Sequence, residues 1–216
     1  MIVSHQHRFV FLKTRKTAGT SVEIALSKIC GPDDIISRIS PEDEELRAAA
    51  GGRGPQNHES PPLVRRAFNH MPAQKVRKVL GRATWDDYYR FAIERNPWDT
   101  VVSLYYWKFR ERPGARVAPP FSEFVDEESV EQLAENQRIY RIDGKVAVDR
   151  ILRYERLGEE LAEVWEHLGL PGSPELPRAK GSARPRRDYR ELYDDVSRDK
   201  VAKLFSDSIE ELGYEF

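Results

Sequence analysis

Short apolar runs alternate with apolar positions at helical spacing along the chain, and this alternation predicts an α/β fold. Phe9, Val10, Phe11 and Leu12 suit a buried strand, and Gly19-Thr20-Ser21 suits a turn that opens a helix. Val22, Ala25, Leu26 and Ile29 then recur at helical spacing until Gly31 and Pro32, which predicts one stripe laid on a sheet. Ile35-Ile36 fits a short strand, Pro41 to Ala50 a helix, and Gly51 to Pro62 a mobile loop at the border of a site. From Pro72 to Gly81, Val76, Val79 and Leu80 with Lys75, Arg77 and Lys78 outside mark an amphipathic helix. Phe91-Ala92-Ile93 is a strand handing directly to a helix: Asn96 suits the N-cap, Pro97 the first helical position and Asp99 the positive first turn. Asp149 to Tyr154 fits another strand, and Leu157, Leu161, Val164, Trp165 and Leu168 a helix closed by Gly169 and Pro171. Ser197 caps a last helix carrying Val201, Leu204, Phe205, Ile209 and Leu212, which Gly213 ends. Such an order predicts a mainly parallel sheet covered on both faces, with ligands outside the C-terminal ends of its strands.

Composition narrows the classes. A chain of 216 residues, 39% hydrophobic, is long enough for one substantial core and is expected to be a single domain over 1–216. Its charged residues make up 33% yet net −1, so no global field draws it to nucleic acid or membrane and any anion site is local. The single cysteine, Cys30, rules out an internal disulfide and a multi-cysteine zinc site; it is expected to pack, and no metal is expected. The first strand leaves no space for a signal peptide, and no run approaches the ~18 apolar residues of a membrane span, so a soluble cytoplasmic protein is expected.

The chemistry concentrates in Arg8 to Ser21, where the apolar run ends in basic and hydroxyl residues. A helix start presents unpaired N–H groups and a positive dipole end, so an anion there meets donors, hydroxyls and the ammonium groups of Lys13 and Lys16. A strand, turn and helix with a few lysines also occurs in α/β proteins without that role. Arg95 falls at the C-terminal end of the second long strand, and Ser103 lies two helical turns beyond Asn96 on the same face. Both can reach one anion; alternatively Arg95 pairs with Asp99 or Glu94 and Ser103 is a helix-surface residue.

Lys16-Thr17-Ala18-Gly19-Thr20-Ser21 resembles the 5′-phosphosulfate loop, and Arg95-Asn96-Pro97 with Ser103 the 3′-phosphate motif, of sulfotransferases that use 3′-phosphoadenosine-5′-phosphosulfate (PAPS). The likeness continues through His70-Met71-Pro72-Ala73, Trp85 to Trp107, Ile151 to Leu157 and Leu212 to Phe216, and is greatest to the branch with heparan sulfate 2-O-sulfotransferase and related bacterial enzymes. The resemblance implies a P-loop-NTPase-like three-layer sandwich that moves a sulfonyl group from PAPS to an acceptor hydroxyl, of a carbohydrate or other small metabolite, without a metal. It implies a cofactor site of Arg15, Lys16, Thr17, Ala18, Gly19, Thr20, Ser21, Arg95 and Ser103, with Lys16 on the leaving group, Thr20 and Ser21 on the 5′-phosphate, and Arg95 and Ser103 on the 3′-phosphate. Lys180, in Lys180-Gly181-Ser182, is the candidate from the cofactor-covering loop. His70 is the implied general base, since an ordinary histidine with a pKa of about 6.5 takes a proton near neutrality.

The sequence departs from the family pattern at Arg15, where proline is common, and at Glu94, where the residue is usually apolar. Lys13 is a second candidate for the role of Lys16, and Glu94 a rival base. His58 and His167 are expected to be solvated. A P-loop kinase or NTPase shares the strand–loop–helix, but there Gly, Lys and Ser/Thr stand consecutively at the helix start, whereas Lys16 precedes Gly19. A phosphate- or nucleic-acid-binding module using the basic segment Arg178 to Arg190 is the third class.

Overall fold

The apolar runs Phe9–Leu12 and Phe91–Ile93 make the middle of the sheet, where both faces of each strand are covered. The computed structural model describes residues 1–59, 67–110, 117–177 and 188–216. The chain divides into two compact units, Met1–Glu94 with Arg138–Ala179 and Arg95–Gln137 with Lys180–Phe216.

The first unit holds, in chain order, β1 (Ile2–Ser4), β2 (Phe9–Leu12), α1 (Gly19–Ser27), β3 (Ile35–Ile36), α2 (Pro41–Ala49), α3 (Ala73–Leu80), α4 (Arg82–Asp87) and β4 (Tyr89–Glu94). Its sheet runs β3-β1-β2-β4-β7, where β7 is Arg150–Arg153. Leu12 stands beside Ala92 and Glu94 beside Arg153 in the parallel ladders β2–β4 and β4–β7. β1 is antiparallel to both of its neighbours, so β3 runs in the same direction as β2, β4 and β7.

Side-chain alternation sends successive residues of β2 and β4 to opposite faces. Phe9, Phe11, Phe91 and Ile93 pack with Val22 and Leu26 of α1 and with Leu161 and Trp165 of α9 (Leu157–His167). Val10, Leu12 and Ala92 pack on the other face with Val76 of α3 and Trp85 of α4. The expected layers are therefore present. The expected stripe on α1 is not, because all nine of its residues are buried. Arg47 of α2, itself fully buried, faces Glu23 of α1, so the polar side of α1 is covered as well.

In the second unit Asn96 caps α5 (Pro97–Lys108) by accepting from the N–H groups of Trp98 and Asp99, with Pro97 at the first helical position, as the sequence predicts. The unit also holds α6 (Phe121–Phe124), α7 (Glu128–Ala134), α10 (Asp195–Leu204) and α11 (Ser206–Leu212). Its core is aromatic: the Phe121 and Tyr193 rings lie 4.8 Å apart, and those of Trp98 and Phe216 lie 5.5 Å apart. The expected last helix is two helices, broken at Phe205. Its cap is Asp194, which accepts from the Ser197 N–H while the Ser197 hydroxyl accepts from the Asp194 N–H; Ser197 closes that box from inside. A short helix α8 (Gln137–Tyr140) leads into a hairpin of β5 (Arg141–Ile142) and β6 (Lys145–Val146).

Candidate functional site

The strand order locates a site before any side chain is considered. From β2 the chain proceeds through α1 to β3 on one side of the sheet, and from β4 it proceeds to β7 on the other. Neighbouring parallel strands whose connections leave in opposite directions open a crevice outside their C-terminal ends. Lys13 to Ala18 follow β2 directly, and Arg95 is the residue after β4.

The loop after β2 is tightly pegged. Thr14 Oγ1 donates to the Ile93 carbonyl of β4 and lies 2.8 Å from Thr17 Oγ1. Lys16 has φ 66° and Ala18 φ 57°, left-handed values that cost a non-glycine residue about 1–3 kcal/mol. The only other described non-glycine residues with positive φ are Arg8, Asn57, His70 and Asp143, so three of the six are residues singled out in the sequence. Ala18 then serves as the N-cap of α1 without a side-chain cap, and the first turn contains no acid. Gly19, Thr20 and Ser21 therefore present helix-start N–H groups beside two buried hydroxyls, an arrangement that suits an anion. Arg15 is exposed and Lys16 half-buried at the rim of this turn.

Lys13 faces the other way. Its Nζ lies 2.6 Å from Glu23 Oε2, with side chains 5% and 0% exposed. Its stem crosses Gly19 so closely that a Cβ there would sit 2.6 Å from Lys13 Cγ, which is why this position takes glycine. Glu23 also receives the Met1 ammonium and has Arg47 Nη2 at 3.9 Å. Burial alone would raise the Glu23 carboxyl, but the ammonium groups of Met1 and Lys13 outweigh it and hold the carboxyl well below the usual range. Lys13 is thus a structural partner of Glu23 in the interior.

His70 is brought to the same place from the segment before α3. Its Nδ1 lies 2.9 Å from the Lys13 carbonyl, to which it donates. Burial, and after it the Lys13 ammonium, lowers its pKa to about 4. The expectation of an ordinary value near 6.5 is corrected: the imidazole is neutral at pH 7. Glu94 is buried, and its ladder neighbour is Arg153 of β7.

In the second unit the Arg95 guanidinium donates from Nε and Nη2 to Asp99 Oδ2 at 2.8 and 2.6 Å. That pairing was one of the two readings open from the sequence, and it fixes the plane of the fork. Ser103 is half-buried on α5. Asn96 also donates from Nδ2 to the Glu215 carbonyl, tying the cap to the chain's last residues.

A cavity of about 180 Å³ is lined by Arg38, His58, Glu59, Ala67, Phe68 and Asn69. Arg38 follows the C-terminal end of β3, the same edge of the sheet as the loop after β2, and Asn69 precedes His70. Asn69 Oδ1 and His58 Nε2 are buried there without a hydrogen-bond partner among the described residues. His58 is only 13% exposed, so the sequence expectation of a solvated loop histidine is corrected. His167, by contrast, is exposed as expected, at the end of α9. Lys180 and most of the basic segment lie outside the described residues, as does the end of the expected Gly51 to Pro62 loop, at 60–62. Cys30 packs: its thiol is buried, and burial pushes its pKa up to about 12. Among the described residues no helix is long and apolar enough to cross a membrane.

Comparison with known proteins adds three findings. The family model described as "Sulfotransferase family" matches residues 1–215. An uncharacterized protein of Archaeoglobus fulgidus is 38% identical over 109 residues, spanning 47% of this chain and 84% of that one. The fold is similar to that of mouse sulfotransferase SULT7A1, whose crystal structure is complexed with PAP, with a TM-score of 0.53 at 13% identity over 95% of this chain and 85% of that one.

Proposed function

Because the chain belongs to the sulfotransferase family, we propose that it transfers a sulfonyl group from PAPS to an acceptor hydroxyl, with the turn from Lys16 to Ser21 as the centre of the cofactor site. The observation that carries this reading is the start of α1, where an uncapped, acid-free first turn follows a loop held in two left-handed residues. PAPS brings the sulfonyl group on its 5′-phosphate. The N–H groups of Gly19, Thr20 and Ser21, with the Thr20 and Ser21 hydroxyls, hold the 5′-phosphate. The Lys16 ammonium neutralises the negative charge that grows on the bridging oxygen as its bond to sulfur breaks. Arg15, Thr17 and Ala18 shape the turn around them. Arg95, oriented by Asp99, and Ser103 recognise the 3′-phosphate. His70 takes the acceptor's proton on Nε2 as the acceptor oxygen bonds to sulfur. Residues 1–216 then act as one sulfotransferase domain.

The acceptor itself belongs in the cavity lined by Phe68 and Asn69, the two residues before His70. Its size suits one six-membered ring, given that a cavity of about 150 Å³ takes benzene. The Asn69 carbonyl oxygen calls for a hydroxyl donor, and the Phe68 ring, 41% exposed, offers a face for stacking. A hydroxylated ring such as a sugar meets both demands.

Arg95→Ala tests the cofactor assignment. Losing hydrogen bonds to a charged group costs about 1.5–3 kcal/mol, so binding of 3′-phosphoadenosine 5′-phosphate should weaken roughly 10- to 150-fold. Binding of adenosine 5′-phosphosulfate, which lacks the 3′-phosphate, should change little. Equal losses for the two nucleotides would remove Arg95 from the 3′-phosphate.

A further inference from the structure

Lys13 joins two features that a sulfotransferase loop does not by itself require. Its side chain crosses Gly19 to end on the fully buried Glu23 of α1, and its carbonyl receives the Nδ1 hydrogen of His70. A carbonyl oxygen has no proton to give, so Nδ1 carries the hydrogen and the neutral ring keeps its lone pair on Nε2. The carbonyl belongs to the residue directly after β2, where strand pairing has stopped, so its direction depends on how that residue is held.

A buried ion pair is seldom the most stable way to fill an interior, since apolar side chains of the same volume often do as well or better. Here one carboxylate is met by Lys13, by the Met1 ammonium and, at longer range, by Arg47. A charge pair with a short, directed contact fixes orientation, which an apolar pair does not.

We propose that Glu23 and Lys13 are positioning residues for His70: the Glu23 carboxylate pins the Lys13 side chain over Gly19, and the Lys13 carbonyl, held by that anchor, selects the imidazole tautomer whose Nε2 is basic. The inference rests on the reading of His70 as the general base. Its readout is the ring nitrogen itself, so it stands or falls separately from catalysis.

The test is a long-range ¹H–¹⁵N correlation spectrum of the full-length protein at pH 7, which identifies the protonated nitrogen of each histidine. The wild type should show His70 as the Nδ1–H tautomer by about tenfold or more, the ratio expected for a hydrogen bond of ordinary net strength. Glu23→Gln should lower that ratio at least about threefold. Lys13→Met combined with Glu23→Gln removes both charges of the pair, leaves the Met1 amine on Ser37 Oγ and Arg47 on Glu44, and should lower it likewise. Ser37→Ala, which removes a hydroxyl 3.5 Å from the other Glu23 oxygen, should leave it unchanged. An Nε2–H tautomer in the wild type overturns the proposal whatever the variants do. So does a wild-type ratio in whichever of the two Glu23 variants is folded, as judged by its amide spectrum. Binding of 3′-phosphoadenosine 5′-phosphate, measured on the same wild-type sample, separately decides whether the sulfotransferase site is read correctly.

Discussion

Lowering the pH from 7 to 5 should destabilise the wild type by about 2 kcal/mol more than it destabilises His70→Asn. Burial and then the Lys13 ammonium bring the folded-state pKa of His70 to about 4, whereas an unfolded histidine titrates at about 6.5. Between these values the unfolded chain binds a proton that the folded chain refuses. Stability from this group is therefore complete above the unfolded pKa and is lost as the pH falls toward the folded one. At pH 5 the unfolded ring is about 97% protonated and the folded ring about one-tenth, a difference of roughly 1.5 pH units at 1.36 kcal/mol each. Urea unfolding of both proteins at the two pH values measures the difference, and the His70 ring-proton shift gives the midpoint directly. An equal pH effect on the two proteins, with a midpoint near 6.5, would refute the assigned burial of His70. The same depression places the acid limb of kcat near pH 4 instead of the 6 to 7 that an ordinary histidine gives.

Lys16→Ala should lower kcat more than it raises KM for PAPS, because the charge it meets develops only as the bond to sulfur breaks; steady-state kinetics showing a KM effect alone would make it a binding lysine. Gly19→Ala should lower stability by about 1–3 kcal/mol, although the same change in an unobstructed helix gains about 1, since the new Cβ would meet Lys13 Cγ at 2.6 Å. Denaturant unfolding of that variant checks it, and a neutral or stabilising result would mean that the Lys13 stem yields.

The parts of the fold that were legible in the sequence are those decided locally. Phe9–Leu12 is apolar throughout because both sheet faces are covered, and Asn96-Pro97 marks a helix start through its own hydrogen bonds. The hairpin of β5 and β6 turns on Asp143-Gly144, both at positive φ, a dipeptide that signals such a turn in the sequence itself. The break at Phe205 and the exchange of cap from Ser197 to Asp194 depend on one or two residues at an element's end, where sequence patterns are least sharp. The inward turn of Lys13 was not legible at all. Nothing in FLKTRKTAGTS separates Lys13 from Lys16; the difference is made by Glu23, a helical turn beyond Gly19, and by the missing Cβ between them. The burial of His58 is hidden from the sequence for a similar reason, since its carbonyl accepts from the Ala67 N–H and its ring lines a cavity with Ala67 and Asn69, while its own neighbours in sequence are polar.

The central claim is that the loop after β2 holds a PAPS-type nucleotide. Thermal unfolding of the wild-type protein with 3′-phosphoadenosine 5′-phosphate, against the same protein with ATP and magnesium, tests it most directly. A ligand at about 100 times its dissociation constant stabilises by about 2.7 kcal/mol, a shift that such an experiment resolves easily. The account predicts stabilisation by the bisphosphate and a far smaller effect of ATP with magnesium. Stabilisation by ATP with magnesium and none by the bisphosphate would contradict it.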